Sequence, residues 1–210
     1  MTTGATSDKR LSDEIGARIP PGQVLTEKFP VLHEGPVPRV NLTEWDFRVT
    51  GLVEEPLVLT YEQFTALPTR RIVVDIHCVT RWTKLDTVWE GVPSRELMRL
   101  IKPLPEARYI MVHAEHGYTT NLSLDDFLHE DVLFAWRYDD KPLAPEHGYP
   151  LRLVVPHLYF WKSAKWVRRL EFMAENRPGF WESRGYHIRG DPWREERFSS
   201  GLGRRGSAEE

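Results

Sequence analysis

The stretch Ile72-Val73-Val74-Asp75-Ile76-His77-Cys78-Val79-Thr80-Arg81-Trp82 decides how this chain is read. Its first half is apolar and β-branched, the composition of a buried strand. It runs into Cys78, the only cysteine of the protein. No apolar period continues over residues 79–83, so the chain is expected to leave the sheet there. A cysteine at the end of a core strand, followed by Arg81 and Trp82, stands where a thiolate could face a pocket. A lone cysteine is also often a small buried hydrophobe without chemistry. This stretch by itself leaves both readings open.

Outward from it, strands and short helices alternate irregularly. Residues 45–53 alternate apolar and polar, as a half-buried strand does, and residues 57–59 read as a second strand. Thr60 with Gln63 forms a capping box for a helix over 61–67, which Pro68 stops. Ser94 is the expected N-cap of a helix over 95–101, with Leu97, Met98, Leu100 and Ile101 as its core stripe. Residues 109–113 and 119–122 are strands around a turn at His116-Gly117-Tyr118. Ser123 and Asp126 cap a short helix over 124–128. Residues 132–136, 151–155 and 166–172 complete the strands, with a turn at 139–142 and an aromatic loop at 157–161. This pattern predicts an α+β domain of mixed β-sheets with short helices, not regular βαβ alternation.

The ends differ from the middle. Residues 1–24 are expected to be a flexible N-terminal arm, and residues 25–175 the folded domain. Residues 176–210 turn polar and rich in Gly and Arg, yet keep Phe180, Trp181, Tyr186, Trp193 and Phe198. An arm that packs these aromatics on the domain, then a disordered tail, is expected. The net charge of -3 gives no nucleic-acid footprint. A single cysteine excludes an intrachain disulfide and a Cys-rich zinc site. No apolar run approaches the roughly 18 residues of a membrane span. Residues 1–22 show neither an apolar signal core nor a twin-arginine pair, so the cytoplasm is the expected compartment.

Arg152 is the least ordinary residue, because a guanidinium inside an apolar strand needs an anionic partner. Lys165, between Ala164 and Trp166, asks for the same explanation more weakly. With His147 they could grip a phosphate or pyrophosphate, and Ser163 with local backbone N–H groups could complete the cradle. Neither the Walker nor the dinucleotide glycine pattern occurs. A soft thiolate beside an anion cradle suggests a soft metal held mostly by a cofactor, since one cysteine cannot hold an iron–sulfur cluster.

With Ile76-His77-Cys78-Val79, His147-Gly148-Tyr149-Pro150-Leu151-Arg152 and Ser163-Ala164-Lys165 in this order, the chain resembles the sulfite oxidase-like molybdopterin proteins. That family includes the molybdenum-dependent protein-methionine-sulfoxide reductase catalytic subunit. The resemblance runs from about residue 29 to 172. It implies one molybdenum-molybdopterin per chain, with Cys78 as the metal ligand. It also implies pterin contacts from His33, Glu34, His147, Arg152, Ser163, Ala164 and Lys165. Tyr118 stands where sulfite oxidases keep an active-site tyrosine, and Arg81 is a candidate to face substrate beside it. The implied activity is oxygen-atom transfer on a small molecule, with electrons passed to or from a separate electron-transfer protein. In sulfite oxidases an arginine precedes the first pterin contact; here Leu32 stands there, which favours a sulfoxide or N-oxide over sulfite. No haem segment and no further C-terminal domain are expected. Two other classes stay in view: a metal-free hydrolase using Cys78 and a histidine, and a non-enzymatic module binding through the aromatic arm. Extended geometry through Cys78 would turn His77 to the opposite face and weaken the hydrolase.

Overall fold

A computed structural model describes residues 13–199. Strands are numbered in chain order. In the first sheet β1 (Val24–Leu25), β5 (Trp82–Pro93), β8 (Leu133–Tyr138) and β10 (Arg152–Val154) lie side by side, β4 (Arg70–His77) also pairs with β5, and β9 (Lys141–Pro142) with β8. The second sheet runs β3 (Leu57–Thr60), β2 (Asp46–Gly51), β11 (Val167–Met173), β6 (Tyr109–Ala114), β7 (Thr119–Ser123). The pairs β1–β5 and β2–β11 are parallel and the others antiparallel, so both sheets are mixed, as expected.

The first sheet is buried on both faces. Along β8, Phe134 joins Phe47, Val49, Val112 and Leu170 in the core between the sheets. Its neighbours Leu133 and Ala135 face the other way and pack with Ile76, Trp89, Val154 and Cys78. This period of two puts Cys78 on the second face, under a layer of aromatic rings rather than in the main core. Gly91 lets β5 and β8 meet at a bulge, because a Cβ there would lie 1.9 Å from the Phe134 carbonyl oxygen.

Three short helices lie between the strands, α1 (Tyr61–Thr65), α2 (Ser94–Met98) and α3 (Leu124–Phe127). α1 carries the expected capping box: Thr60 Oγ1 accepts the Gln63 N–H while the Gln63 side chain accepts the Thr60 N–H. Ser123 Oγ likewise accepts the Asp126 N–H at the start of α3. Ser94 does not cap α2. Pro93 is the N-cap residue, and the Ser94 hydroxyl donates to the Phe127 carbonyl at 2.6 Å, tying α2 to α3 instead.

Two further expectations change. The chain does not leave the sheet after Cys78 but reverses into β5. Cys78 N donates to Trp82 O (2.9 Å) and Arg81 N to Cys78 O (3.0 Å), closing a loop of Val79, Thr80 and Arg81 with Arg81 at φ 74°. A positive φ at the last position is what a three-residue hairpin loop requires. Residues 13–24, expected as part of a flexible arm, make defined contacts with the domain. Arg18 grips the Asp75 carboxylate with two donors (2.9 and 2.6 Å), and β1 adds to the β5 edge. The flexible stretch expected over residues 1–12 and the tail expected over 200–210 lie outside the described residues.

Candidate active site

Eight of the ten residues expected at a site meet around one cavity of about 370 Å³ on the second face of the first sheet: Cys78, Tyr118, His33, Glu34, Arg152, Ser163, Ala164 and Lys165. The hairpin between β4 and β5 supplies Cys78, the strand β10 supplies Arg152, and the turn into β11 supplies residues 163–165. His33 and Glu34 come from the proline-bounded loop over the mouth. Arg81 and His147 do not line the cavity. The Arg81 side chain is exposed, and what its position demands is the left-handed backbone of the hairpin. His147 sits behind the wall, its ring stacked on Phe29 with centroids 4.1 Å apart.

Cys78 is 7% exposed, and its Sγ accepts the Thr80 hydroxyl at 3.1 Å. Burial pushes the thiol's pKa up, against the opposing pull of the Thr80 hydroxyl and N–H and of Arg152 and Arg197. A raised pKa and a hydroxyl partner do not make an activated nucleophile, which needs a base on the sulfur. His77, the adjacent histidine, gives its Nδ1 to Thr83 Oγ1 at 2.9 Å.

Arg152 is buried and makes no ion pair among the described residues. It donates to the carbonyls of His147 (2.9 Å) and Ser163 (3.2 Å), and its Nε has no partner. Its guanidinium lies 4.1 Å from the centre of the Phe160 ring, a cation–π contact. Burial brings its pKa down to about 9. Lys165 donates to the Glu146 carbonyl at 2.6 Å and is brought to about 7 by burial and by Arg152. Burial, then the same two cations, holds His147 at about 4. Gly148, at φ 118°, brings these groups together: a Cβ there would sit 3.1 Å from Cβ of Arg152 and 3.2 Å from that of Lys165. Two desolvated cations with unspent donors and no carboxylate between them are a site waiting for an anion.

Tyr118 donates to the Trp161 carbonyl at 2.6 Å, and burial raises its phenol well above the ordinary value. It therefore holds its proton, which the Trp161 carbonyl accepts, and does not serve as a base. The rest of the wall is aromatic: Phe29, Trp82, Phe160, Trp161, Trp166, and from the C-terminal arm Trp181 and Tyr186. Trp82 stands in the stretch quoted around Cys78; the others were not singled out for the site from the sequence. For Phe160, Trp161, Trp181 and Tyr186 the signal was aromatic enrichment in the loop 157–161 and in the arm, which did not by itself say where the rings point. Glu182 anchors the arm, because its Oε1 accepts Thr120, Trp161 Nε1 and Lys162 Nζ in the interior.

Residues 34–181 match the family model of the oxidoreductase molybdopterin-binding domain. The chain belongs to that family. It is 52% identical over 191 residues to an uncharacterized oxidoreductase, YuiH, of Bacillus subtilis (strain 168), covering 90% of this chain and 96% of that one. It is 29% identical over 160 residues to the protein-methionine-sulfoxide reductase catalytic subunit MsrP of Campylobacter jejuni, over 68% of this chain and 54% of MsrP. The structure of the sulfane dehydrogenase SoxCD from Paracoccus pantotrophus superposes with a TM-score of 0.62 at 24% identity, over 68% of this chain and 41% of that one. The chain thus spans about half the length of MsrP and less of SoxCD.

Membership makes this a molybdenum-dependent oxidoreductase, and it confirms the sulfite oxidase-like resemblance and its cofactor. The cavity fits a molybdopterin. Arg152 and Lys165, cations with no carboxylate partner among the described residues, and Cys78, a soft donor, line the same cavity, and that is the donor set a phosphate-bearing molybdenum cofactor asks for. No helix among the described residues is long and apolar enough to cross a membrane.

Proposed function

We propose that this molybdopterin-binding oxidoreductase reduces a small neutral oxide, a sulfoxide or an N-oxide, with the Cys78 thiolate as the protein's ligand to molybdenum. In the net reaction the S–O or N–O bond breaks, two electrons and two protons enter, and the thioether or amine leaves with water. When bound, the molybdenum cofactor supplies the two-electron change and the place of oxygen-atom transfer. The chain does the rest. Arg152 and Lys165 hold the phosphate, and the Ser163 and His147 carbonyls fix the guanidinium plane that does so. The aromatic wall excludes water. Tyr118 stays protonated, and it donates to a substrate oxygen only by turning its hydroxyl away from the Trp161 carbonyl. A separate electron-transfer protein delivers the electrons.

The observation that carries the choice of substrate is the charge around the opening. Leu32 stands at the rim with Glu34 beside it, and Arg81 does not line the cavity. The cations that do line it, Arg152 and Lys165, are the ones assigned to the cofactor's phosphate, which leaves neither for the substrate. Sulfite, a dianion, would meet a carboxylate and no free guanidinium. Losing one charged contact to an anion costs roughly 1.5–3 kcal/mol, about ten- to a hundredfold in affinity. Steady-state assays of the molybdenum-loaded protein on sulfite, dialkyl sulfoxides and amine N-oxides test this. Sulfoxide or N-oxide reduction with weak sulfite oxidation is expected, and Leu32→Arg should improve sulfite use. Efficient sulfite turnover without sulfoxide or N-oxide reduction would reverse the assignment. Cys78→Ser should fold and lose turnover; full activity in it would remove the thiolate from the mechanism.

A further inference from the structure

The turn that carries Cys78 is held by two residues that lie outside the matched span 34–181, one from each end of the chain. Gln23 donates from Nε2 to the Cys78 carbonyl at 3.1 Å. Arg197 donates from Nη1 to the Val79 carbonyl at 2.8 Å, and its Nη2 reaches the carbonyls of Pro21 (3.3 Å) and Gly22 (3.4 Å). Arg197 is 7% exposed, and its guanidinium lies 4.9 Å from the centre of the Tyr159 ring. Its nearest carboxylate, Glu195, is 3.9 Å away on an exposed side chain. A guanidinium is costly to bury without a close acid, and an arginine that served only to fill space would be replaced at no loss by an apolar side chain. Here its Nη1 and Nη2 donate to backbone carbonyls, one of them next to the thiol-bearing residue, while Nε has no partner. One planar group thereby ties the Cys78 turn, the segment before β1 and the C-terminal arm together.

We infer that Arg197, with Gln23, is a positioning residue for Cys78: by fixing the carbonyls of residues 78 and 79 it sets the turn from which Sγ faces the cavity. The C-terminal arm is then part of the active site through its backbone contacts as well as through the rings of Trp181 and Tyr186. The inference rests on the proposed ligation by Cys78, and its test separates the two.

Cys78 is the only cysteine, so alkylation by iodoacetamide reports on it alone. In the full cofactor-free chain, well below its melting temperature, Arg197→Met should raise the alkylation rate of the fully ionised thiol, taken from a series of pH values so that the lost attraction of Arg197 for the thiolate does not enter, by about tenfold or more, the factor for losing one charge-assisted hydrogen bond. Arg197→Lys, which keeps the charge but loses the fork, should fall between. In the molybdenum-loaded protein, Arg197→Met should shift the thiolate-to-metal absorption that Cys78→Ser abolishes. A lowered melting temperature with an unchanged alkylation rate would mark Arg197 as a merely stabilising residue and overturn the inference. If Arg197→Met does not fold, Gln23→Leu takes the same measurement, with faster alkylation supporting the inference and no change overturning it. If Cys78→Ser keeps the loaded protein's spectrum and metal content, the ligation reading fails, and the alkylation rates still decide whether Arg197 holds the turn.

Discussion

Arg152 shows what single residues contribute here. Its burial lowers its pKa to about 9, no acid offsets that cost, and its Nε has no acceptor. A residue kept for stability would not be arranged this way, because replacing a buried charge by an apolar side chain of similar volume is often neutral or stabilising. Arg152→Met should therefore leave the melting temperature of the cofactor-free protein unchanged or higher. The same variant should retain about tenfold less molybdopterin on purification, since it loses a bidentate contact to phosphate. Thermal melts and pterin assays on one preparation measure both, and a marked fall in stability with full cofactor content would reverse the reading. Arg152 was legible in the sequence because a cation in an apolar run has no structural reason to be there. Arg81 was misleading for the opposite reason, since nothing in its neighbours announces that the backbone needs φ 74° at that place.

The hairpin of β4 and β5 carries Cys78, and half of it was hidden in the sequence. β4 is a plain β-branched run. β5 is the longest strand, yet its first half reads Trp82-Thr83-Lys84-Leu85-Asp86-Thr87, without a clean apolar period. The structure explains why. Thr83 and Thr87 are buried, and their hydroxyls are satisfied inside the ribbon by His77 Nδ1 and by the Val74 carbonyl, so polar residues occupy core positions at no loss. Those partners come from the facing strand, and a single-strand pattern cannot reveal them. The loop between the strands makes its own prediction. A non-glycine residue in the left-handed region costs about 1–2 kcal/mol, and a β-branched one more. Arg81→Gly should hold or raise stability by a few tenths to about 1 kcal/mol and leave turnover within about twofold. Arg81→Val should destabilise by about 1–2 kcal/mol. Denaturant titration distinguishes these. A large loss of turnover in a well-folded Arg81→Gly protein would return Arg81 to the substrate.

Over the whole molecule the site is a meeting of distant segments: a loop near residue 33, a hairpin at 78, a strand at 152, a turn at 163 and an arm beyond 180. The family's motifs located most of these, but the aromatic wall depends on tertiary packing and could not be located from composition. The same convergence buries histidines, and this gives the fold a definite response to acid. Burial holds both His77 and His147 at about 4. In the unfolded chain each takes up its proton near pH 6.5. Between about pH 6.5 and 4 the unfolded state thus binds more protons than the folded one, so stability falls as pH falls through that window. Lys165, at about 7, and Arg152, at about 9, change their protonation above it. Asp126, held below the usual carboxylate range by His157, Arg189 and Ser123 against its own burial, does so beneath it. His113 and His129 are shifted in the same direction as His77, so the decisive quantity is a difference in slope rather than the slope itself. His77, the more deeply enclosed of the pair, should account for roughly 2–3 kcal/mol of the loss, and the half-buried His147 for less. Urea denaturation of the cofactor-free protein at intervals from pH 7 to 4 should show that decline. His77→Asn, which keeps a polar group near Thr83 but cannot take a proton, should flatten it. Parallel curves for the two proteins would mean that the histidine beside the thiol titrates alike in the folded and unfolded chain, and that its burial carries no penalty for the charged form.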